Sequence, residues 1–279
     1  EIPVKTMTAV EFEAYKSAFV RPFDLEKGPC VRFEIIMTDE LILLADMHHL
    51  VSDGASVDLF FTQLTQAIDG INPEKEDYTY YDFVRDEEIT PEKESFFERQ
   101  MAEVEEPTQL IPDVFEQNLP HTQKSVAVPP DIQAIKTFAQ SNGITPAAVY
   151  LGASFIAFGR FVCEDLVSIV TVSNGRSNMK VWNTMGMFVN TLPLVTMLDH
   201  HEKTTDFLHR VSQDFSDTIE HENYPFARIA SRYDFHPQAS YTYQIGVMND
   251  YSTKYGKMAV ETLTLDIAKL PVAVYIEGS

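Results

Sequence analysis

His48-His49-Leu50-Val51-Ser52-Asp53-Gly54 decides how this chain is read. The residues ahead of it, Leu41-Ile42-Leu43-Leu44-Ala45-Asp46-Met47, are mostly apolar and too few before the turn for a helix, so residues 41–50 are expected to form a strand. Side chains alternate along a strand, which puts His49 with Met47, Ala45 and Leu43 and His48 with Asp46, Leu44 and Ile42; only one histidine then faces a given site. Beyond the turn, Val57, Phe60, Phe61, Leu64, Ala67 and Ile68 recur at helical spacing. They predict a helix over 54–69 with Ser52 or Asp53 as its N-cap and Gly70 as its stop. A helix that starts at such a turn leaves backbone N–H groups unpaired near His49, as oriented donors for developing negative charge.

Each of these residues has a structural reading beside the chemical one. Asp53 serves equally well as a helix cap and Gly54 as a turn residue. His48, on the opposite strand face from His49, fits a packed or hydrogen-bonded support better than a catalyst. Adjacent strand histidines do not converge on one ion, and His121, His200, His201, His209, His221 and His236 show no ligand spacing, so no metal is expected.

Composition bounds the rest. A chain of 279 residues with 44% hydrophobic residues can bury sizeable cores and make one or two domains. The net charge of −21 is concentrated in residues 1–110, where 25 acids face 9 bases, and such a surface repels phosphate backbones; nucleic acid is excluded as a partner. Neither a signal peptide nor a stretch long enough to span a bilayer stands out, so no membrane partner is expected. Cys30 and Cys163 sit in apolar surroundings and read as buried free thiols of a reducing, cytoplasmic compartment.

Periodicity predicts helices over 9–19 and 91–105 and a strand over 30–37. Residues 107–130 carry Pro107, Pro112, Pro120, Pro129 and Pro130 without periodicity and read as a linker. Beyond it, a helix over 132–142 ends at Gly143. Thr145-Pro146 then opens a second helix to Phe161, apolar nearly all round and so expected to be buried. Strands are expected over 166–173, 186–197, 241–248, 258–265 and 270–277, and helices over 204–220 and 225–232.

His48 to Gly54 resembles the HHxxxDG motif of the condensation domains of nonribosomal peptide synthetases, members of the chloramphenicol-acetyltransferase-like acyltransferases. Other segments are similar to the same family in the same order. Phe23-Asp24-Leu25 with Gly28-Pro29 resembles its "FDL…GP" entry, and Tyr80-Tyr81-Asp82-Phe83 its "YxDY" segment. Gly186-Met187-Phe188-Val189-Asn190-Thr191-Leu192-Pro193-Leu194 resembles "GxFVNTLPLR", with Val195 where arginine is usual. His221 to Phe226 resembles "HQDxPFE", with Ala227 in place of the acid. The resemblance implies an α/β fold, an α+β sandwich of two chloramphenicol-acetyltransferase-like lobes with the active site in the tunnel between them. Residues 1–110 would be a partial N-terminal lobe, 111–130 the linker and 131–279 a C-terminal lobe lacking its last elements, because the family carries further elements at both ends.

The same resemblance implies amide bond formation between a carrier-bound acyl or peptidyl thioester and the amine of a carrier-bound aminoacyl group. The partners would be upstream and downstream peptidyl carrier proteins and a neighbouring adenylation domain. No cofactor would be bound; the substrates arrive on phosphopantetheine arms. His49 is the expected catalytic residue, as a general base or by positioning the amine, since an imidazole with a pKa of about 6.5 can accept a proton at neutral pH. His48, Asp53, Gly54 and Arg176 are expected as motif support, with Asp53 braced by an arginine for which Arg176 is the candidate in this chain. Ser52 and Asn190 are candidate tunnel residues, and Trp182 falls where the family has a loop flooring the tunnel. The intact second histidine and the absence of a DxxxxD pattern or an "SW" pair after Asp53-Gly54 point to ordinary condensation rather than heterocyclisation, epimerisation or recruitment. Two alternatives stand beside it: an HxxxD acyltransferase with a soluble acceptor, and an inactive fragment that binds a carrier.

Overall fold

Two adjacent strands that share one apolar face build the first of two units. In the computed structural model, which describes residues 1–111, 124–245, 251–263 and 270–278, β2 (Val31–Met37) pairs antiparallel with β3 (Leu41–Met47), while β1 (Val4–Thr6) runs parallel to β2 on its other edge. Ile36 and Leu44 face one side and bury against Phe12 and Phe19 of α1 (Ala9–Phe19). On β2, Phe33 points the other way, as strand alternation requires, and stacks on Phe60 of α2 (Gly54–Asp69) with ring centroids 5.3 Å apart. The sheet is thus sandwiched between α1 and α2. α1 starts in a capping box, Thr8 and Glu11 each bonding the other's backbone.

This unit comprises the described residues of Glu1–Arg85, Arg176–Phe188 and Val247–Thr264. The last segment supplies a small hairpin, β7 (Tyr251–Thr253) with β8 (Gly256–Met258). It lies on α2: Tyr251 donates to Asp58, its ring tilts against Phe61, and the Lys254 N–H donates to Asp69 Oδ1 at 2.7 Å. α3 (Tyr80–Asp86) buries Phe83 against Val181 and Phe188.

The second unit is built on a four-stranded mixed sheet in the order β5-β4-β6-β9, formed by Asn190–Met197, Leu166–Ser173, Ala239–Ile245 and Val272–Gly278. β4 is buried along most of its length, as a strand covered on both faces must be. Val167 and Ile169 join one core with Leu151 and Phe155 of α6 (Pro146–Val162) and Phe207, Leu208 and Val211 of α7 (Thr204–Glu220). Val170 joins the opposite one with Phe97 and Met101 of α4 (Pro91–Met101), Ile229 of α8 (Phe226–Tyr233) and Phe235. α5 (Ile132–Ser141) adds Ala139 to the first core.

Several expectations change. The two compact units are not continuous in sequence: residues 86–110 fall in the second unit, while residues 176–188 and the described residues of 247–264 fall in the first. Thr108 and Leu110, expected in the linker, are already bonded into the second unit through Ser168 and Gln238; residues 112–123 lie outside the described ones. α4 ends at Met101, and the strand expected from 186 starts at Asn190. The strand expected over 258–265 is replaced by the short hairpin, and residues 264, 265 and 246–248 lie outside the described ones. α6 buries 7 of its 17 residues rather than its whole circumference, and Phe161 stays 68% exposed. Cys163 is exposed and Cys30 half-buried, so both are free but neither is a core thiol. Among the described residues, no single helix is long and apolar enough to cross a membrane.

Candidate active site

β3 stops at Met47 because its partner stops: Val31 opposite Met47 is the last pair of the ladder. His48 follows with its N–H on the Cys30 carbonyl at 2.8 Å, and the Val51 N–H then turns back to the His48 carbonyl at 3.0 Å. Both histidines therefore sit in a turn, and hydrogen bonds rather than strand alternation separate them.

His49 Nδ1 lies 2.8 Å from the carbonyl oxygen of Ser52. A carbonyl only accepts, so in the neutral ring Nδ1 carries the proton and Nε2 presents its lone pair. His48 is held the other way: its Nδ1 accepts the Leu50 N–H at 3.0 Å, which leaves the proton on Nε2. Phe23 meets the His48 ring edge-on at 5.9 Å, and the Arg32 guanidinium covers the Phe23 ring at 3.8 Å. Arg32 is anchored in turn by Asp46 at 3.4 Å and by the carbonyls of Phe19 and Pro22. The apolar entry segment thus packs behind His48, while His49 is exposed.

Asp53 caps α2, accepting the Ser56 N–H on Oδ1 at 2.7 Å. Arg176 Nη2 donates to the same oxygen at 3.1 Å and to Oδ2 at 3.4 Å, and the Phe188 N–H donates to Oδ2 at 3.0 Å. The Asp53 side chain is 0% exposed and that of Arg176 6%. A charge taken so completely out of water persists only when paired and hydrogen-bonded, and both conditions are met. Arg176 also gathers its own loop: Nη1 donates to the carbonyls of Val181 at 2.5 Å and Thr184 at 2.8 Å, and its guanidinium lies 4.3 Å from the Phe188 ring. The Trp182 indole returns a bond to the Arg176 carbonyl at 2.9 Å, and the Thr184 hydroxyl donates to the Tyr78 carbonyl at 2.7 Å.

Of the expected residues, His48, His49, Ser52, Asp53 and Arg176 are therefore brought together in the first unit, with Gly54 opening α2 behind them. Ser52 is buried, its hydroxyl on the His48 carbonyl at 3.4 Å and its carbonyl on His49. Asn190 opens β5 opposite Ser173 and belongs to the second unit. Sequence reasoning missed Ser56, whose hydroxyl bonds both backbone groups of Gly186, and Phe188, whose N–H completes the shell of Asp53. The only signal for Ser56 was a small hydroxyl side chain three residues behind a capping aspartate. Among the described residues, no group of three or more His, Cys, Asp or Glu side chains is arranged to hold a metal ion.

A family model described as "Condensation domain" matches residues 2–273. The chain is 28% identical over 228 residues to surfactin synthase subunit 1 of Bacillus subtilis (strain 168), covering 77% of this chain and 6% of that protein. It is 27% identical over 246 residues to tyrocidine synthase 3 of Brevibacillus parabrevis, covering 83% of this chain and 4% of that one. The chain thus spans only a small part of the curated relatives it matches. Among solved structures, the complex of the X-domain and OxyB from teicoplanin biosynthesis superposes with a TM-score of 0.80 at 18% identity, over 98% of this chain and 66% of the other. The first condensation domain of the CDA synthetase superposes with a TM-score of 0.68 at 16% identity, over 92% and 62%. At such identities the superpositions carry the fold.

Proposed function

The chain belongs to the condensation-domain family, and from that premise we propose that it forms an amide bond between an acyl or peptidyl thioester on one carrier protein and the amine of an aminoacyl group on another. The observation that carries the reading is the bond between His49 Nδ1 and the Ser52 carbonyl, which leaves Nε2 of an exposed ring unprotonated. In the reaction the amine attacks the thioester carbonyl, the new C–N bond forms, and the C–S bond breaks. His49 Nε2 takes the proton from the attacking nitrogen and delivers it to the departing sulfur, so the ring ends as it began. General base help of this kind is worth about a hundred- to ten-thousand-fold. Asp53 and Arg176 brace the turn, His48 supports it from behind, Gly54 lets the backbone approach the reacting carbonyl, and Ser52, a candidate tunnel residue that proves buried, acts through its carbonyl on His49. Asn190 is assigned to the tunnel wall.

No cofactor is required by this chemistry, because the phosphopantetheine arms belong to the carriers. The partners are two peptidyl carrier proteins and an adjoining adenylation domain, and the setting is cytoplasmic. Amide formation is measured by mass spectrometry with the protein that contains this segment and with the isolated chain, using a panel of donor and acceptor carriers loaded with different aminoacyl groups, each beside His49→Ala. We expect the substitution to lower the rate of the active form by at least a hundredfold. A wild-type rate for His49→Ala in the full-length protein would overturn the assignment. Turnover with a soluble amine or alcohol and no second carrier would favour an acyltransferase of the wider superfamily.

A further inference from the structure

Ser56 occupies the third position of α2, at 1% exposure, and its hydroxyl is used to capacity. Oγ donates to the Gly186 carbonyl at 2.8 Å and accepts from the Gly186 N–H at 3.0 Å and from Arg176 Nη2 at 3.1 Å. One hydroxyl has one proton and two lone pairs, so all its bonding capacity is spent. Across from it, Gly186 has no room for a side chain: a Cβ there would stand 2.5 Å from Cδ2 and 2.9 Å from Cγ of Tyr80. The 176–188 loop thus meets α2 through the Ser56 hydroxyl while Tyr80 of α3 packs directly on Gly186.

That contact is linked to everything that holds Asp53. The Ser56 N–H binds Oδ1 directly, Arg176 Nη2 is shared between Ser56 Oγ and the carboxylate, and Gly186 lies two residues before the Phe188 N–H that binds Oδ2. Asp53 directly follows Ser52, whose carbonyl orients His49. We propose that Ser56 and Gly186 form a clasp that positions His49, setting through Asp53 and Ser52 the tautomer in which Nε2 is free to accept a proton. The inference rests on the catalytic reading of His49 and gives Ser56 a positioning role in it. Without the hydroxyl both backbone groups of Gly186 lose their partner and Arg176 loses one of its acceptors. The turn between His49 and Asp53 then loses its fixed end, and the ring is free to leave the Ser52 carbonyl.

A role limited to stability would lower the melting temperature and leave the His49 tautomer alone, so the tautomer is the deciding readout. The chain is prepared with ¹⁵N-labelled histidine, and the His49 ring nitrogens, assigned by loss of their signals in His49→Ala, are read above the titration range in wild type, Ser56→Ala, Ser56→Cys and Ser56→Thr. Ser56→Cys keeps the volume with a far weaker hydrogen bonder and serves should Ser56→Ala fail to fold. We expect the wild type and Ser56→Thr to hold the proton on Nδ1 and the alanine or cysteine variant to shift it toward Nε2. In the carrier-dependent assay, kcat of that variant should fall about tenfold, the equivalent of about 1.4 kcal/mol, with KM changed less than twofold. A folded Ser56→Ala or Ser56→Cys protein with the wild-type tautomer would overturn the clasp. If His49→Ala keeps full activity while the tautomer still shifts, the clasp stands and the catalytic reading of His49 falls.

Discussion

Replacing Arg176 with methionine removes the guanidinium, and with it the contact to the Phe188 ring, while keeping an unbranched aliphatic stem. The consequence follows from burial. With a side chain 0% exposed, Asp53 would be left as an uncompensated charge out of reach of water. Breaking a buried ion pair on one side costs about 3–5 kcal/mol. The carbonyls of Val181 and Thr184 lose their donor as well, which places the loss at the upper end of that range. Set against a domain stability of about 5–15 kcal/mol, the change removes a third or more. At a urea dependence of about 2 kcal/mol per molar, the midpoint should fall by about 2.5 M. Trp182 is the sole tryptophan and bonds the Arg176 carbonyl, so its fluorescence reports the loop, while far-ultraviolet circular dichroism reports the whole chain. The loop signal should be lost at lower urea than the dichroism in Arg176→Met. If the midpoint moves by less than about 0.5 M and the two signals still coincide as in wild type, the account of the brace is wrong.

A second expectation concerns acid. Burial alone would raise the Glu34 carboxyl, but hydrogen bonds from the Tyr15 hydroxyl and the Lys5 ammonium outweigh it and hold it below its ordinary value of 4.5. A depressed folded pKa contributes stability that is whole above the unfolded value and lost as pH falls through the folded one. Glu34→Gln should therefore be less stable than wild type at neutral pH and converge with it below about pH 4.5; a stability gap that stays constant from pH 7 to pH 3 in urea titrations would contradict this. In the second unit, α6 and α7 approach so closely at Gly152 that an added Cβ would lie 2.3 Å from Leu208 Cδ2 and 3.2 Å from Phe207 Cε1. Gly152→Ala should destabilise by about 1–3 kcal/mol despite alanine's better helix propensity, measured as a lower melting temperature.

Local chemistry made much of this legible. The helix from Gly54 to Asp69, its Asp53 cap and its Gly70 stop were all present in residues 52–70, because caps and stops act over a single turn. The sequence did not reveal where the motif strand ends, since that depends on β2 running out of partners rather than on any residue in 41–50. Nor did composition show that residues 176–188 leave their sheet to fold on the first unit. Gly186 and Phe188 read as the start of a strand, and only the distant Ser56 and Asp53 take their backbone bonds instead. The pairing of Asp53 with Arg176 was reached through family resemblance, because no local rule connects residues 123 positions apart. The Tyr251–Met258 hairpin was missed because three-residue strands carry too little periodicity to be seen.

That separation also sets an order of events in the cell. At about 5–20 residues added per second, Asp53 leaves the ribosome on the order of ten seconds before Arg176 and the loop that carries it. During that interval the strand and helix on either side of the histidines can form from local contacts, while the buried carboxylate between them has no counterion. The turn that carries the histidines is thus completed only once the segment with Arg176 has been made. A translational pause placed between the codons for Gly54 and Arg176 would lengthen the time this half-built turn is exposed to chaperones and proteases.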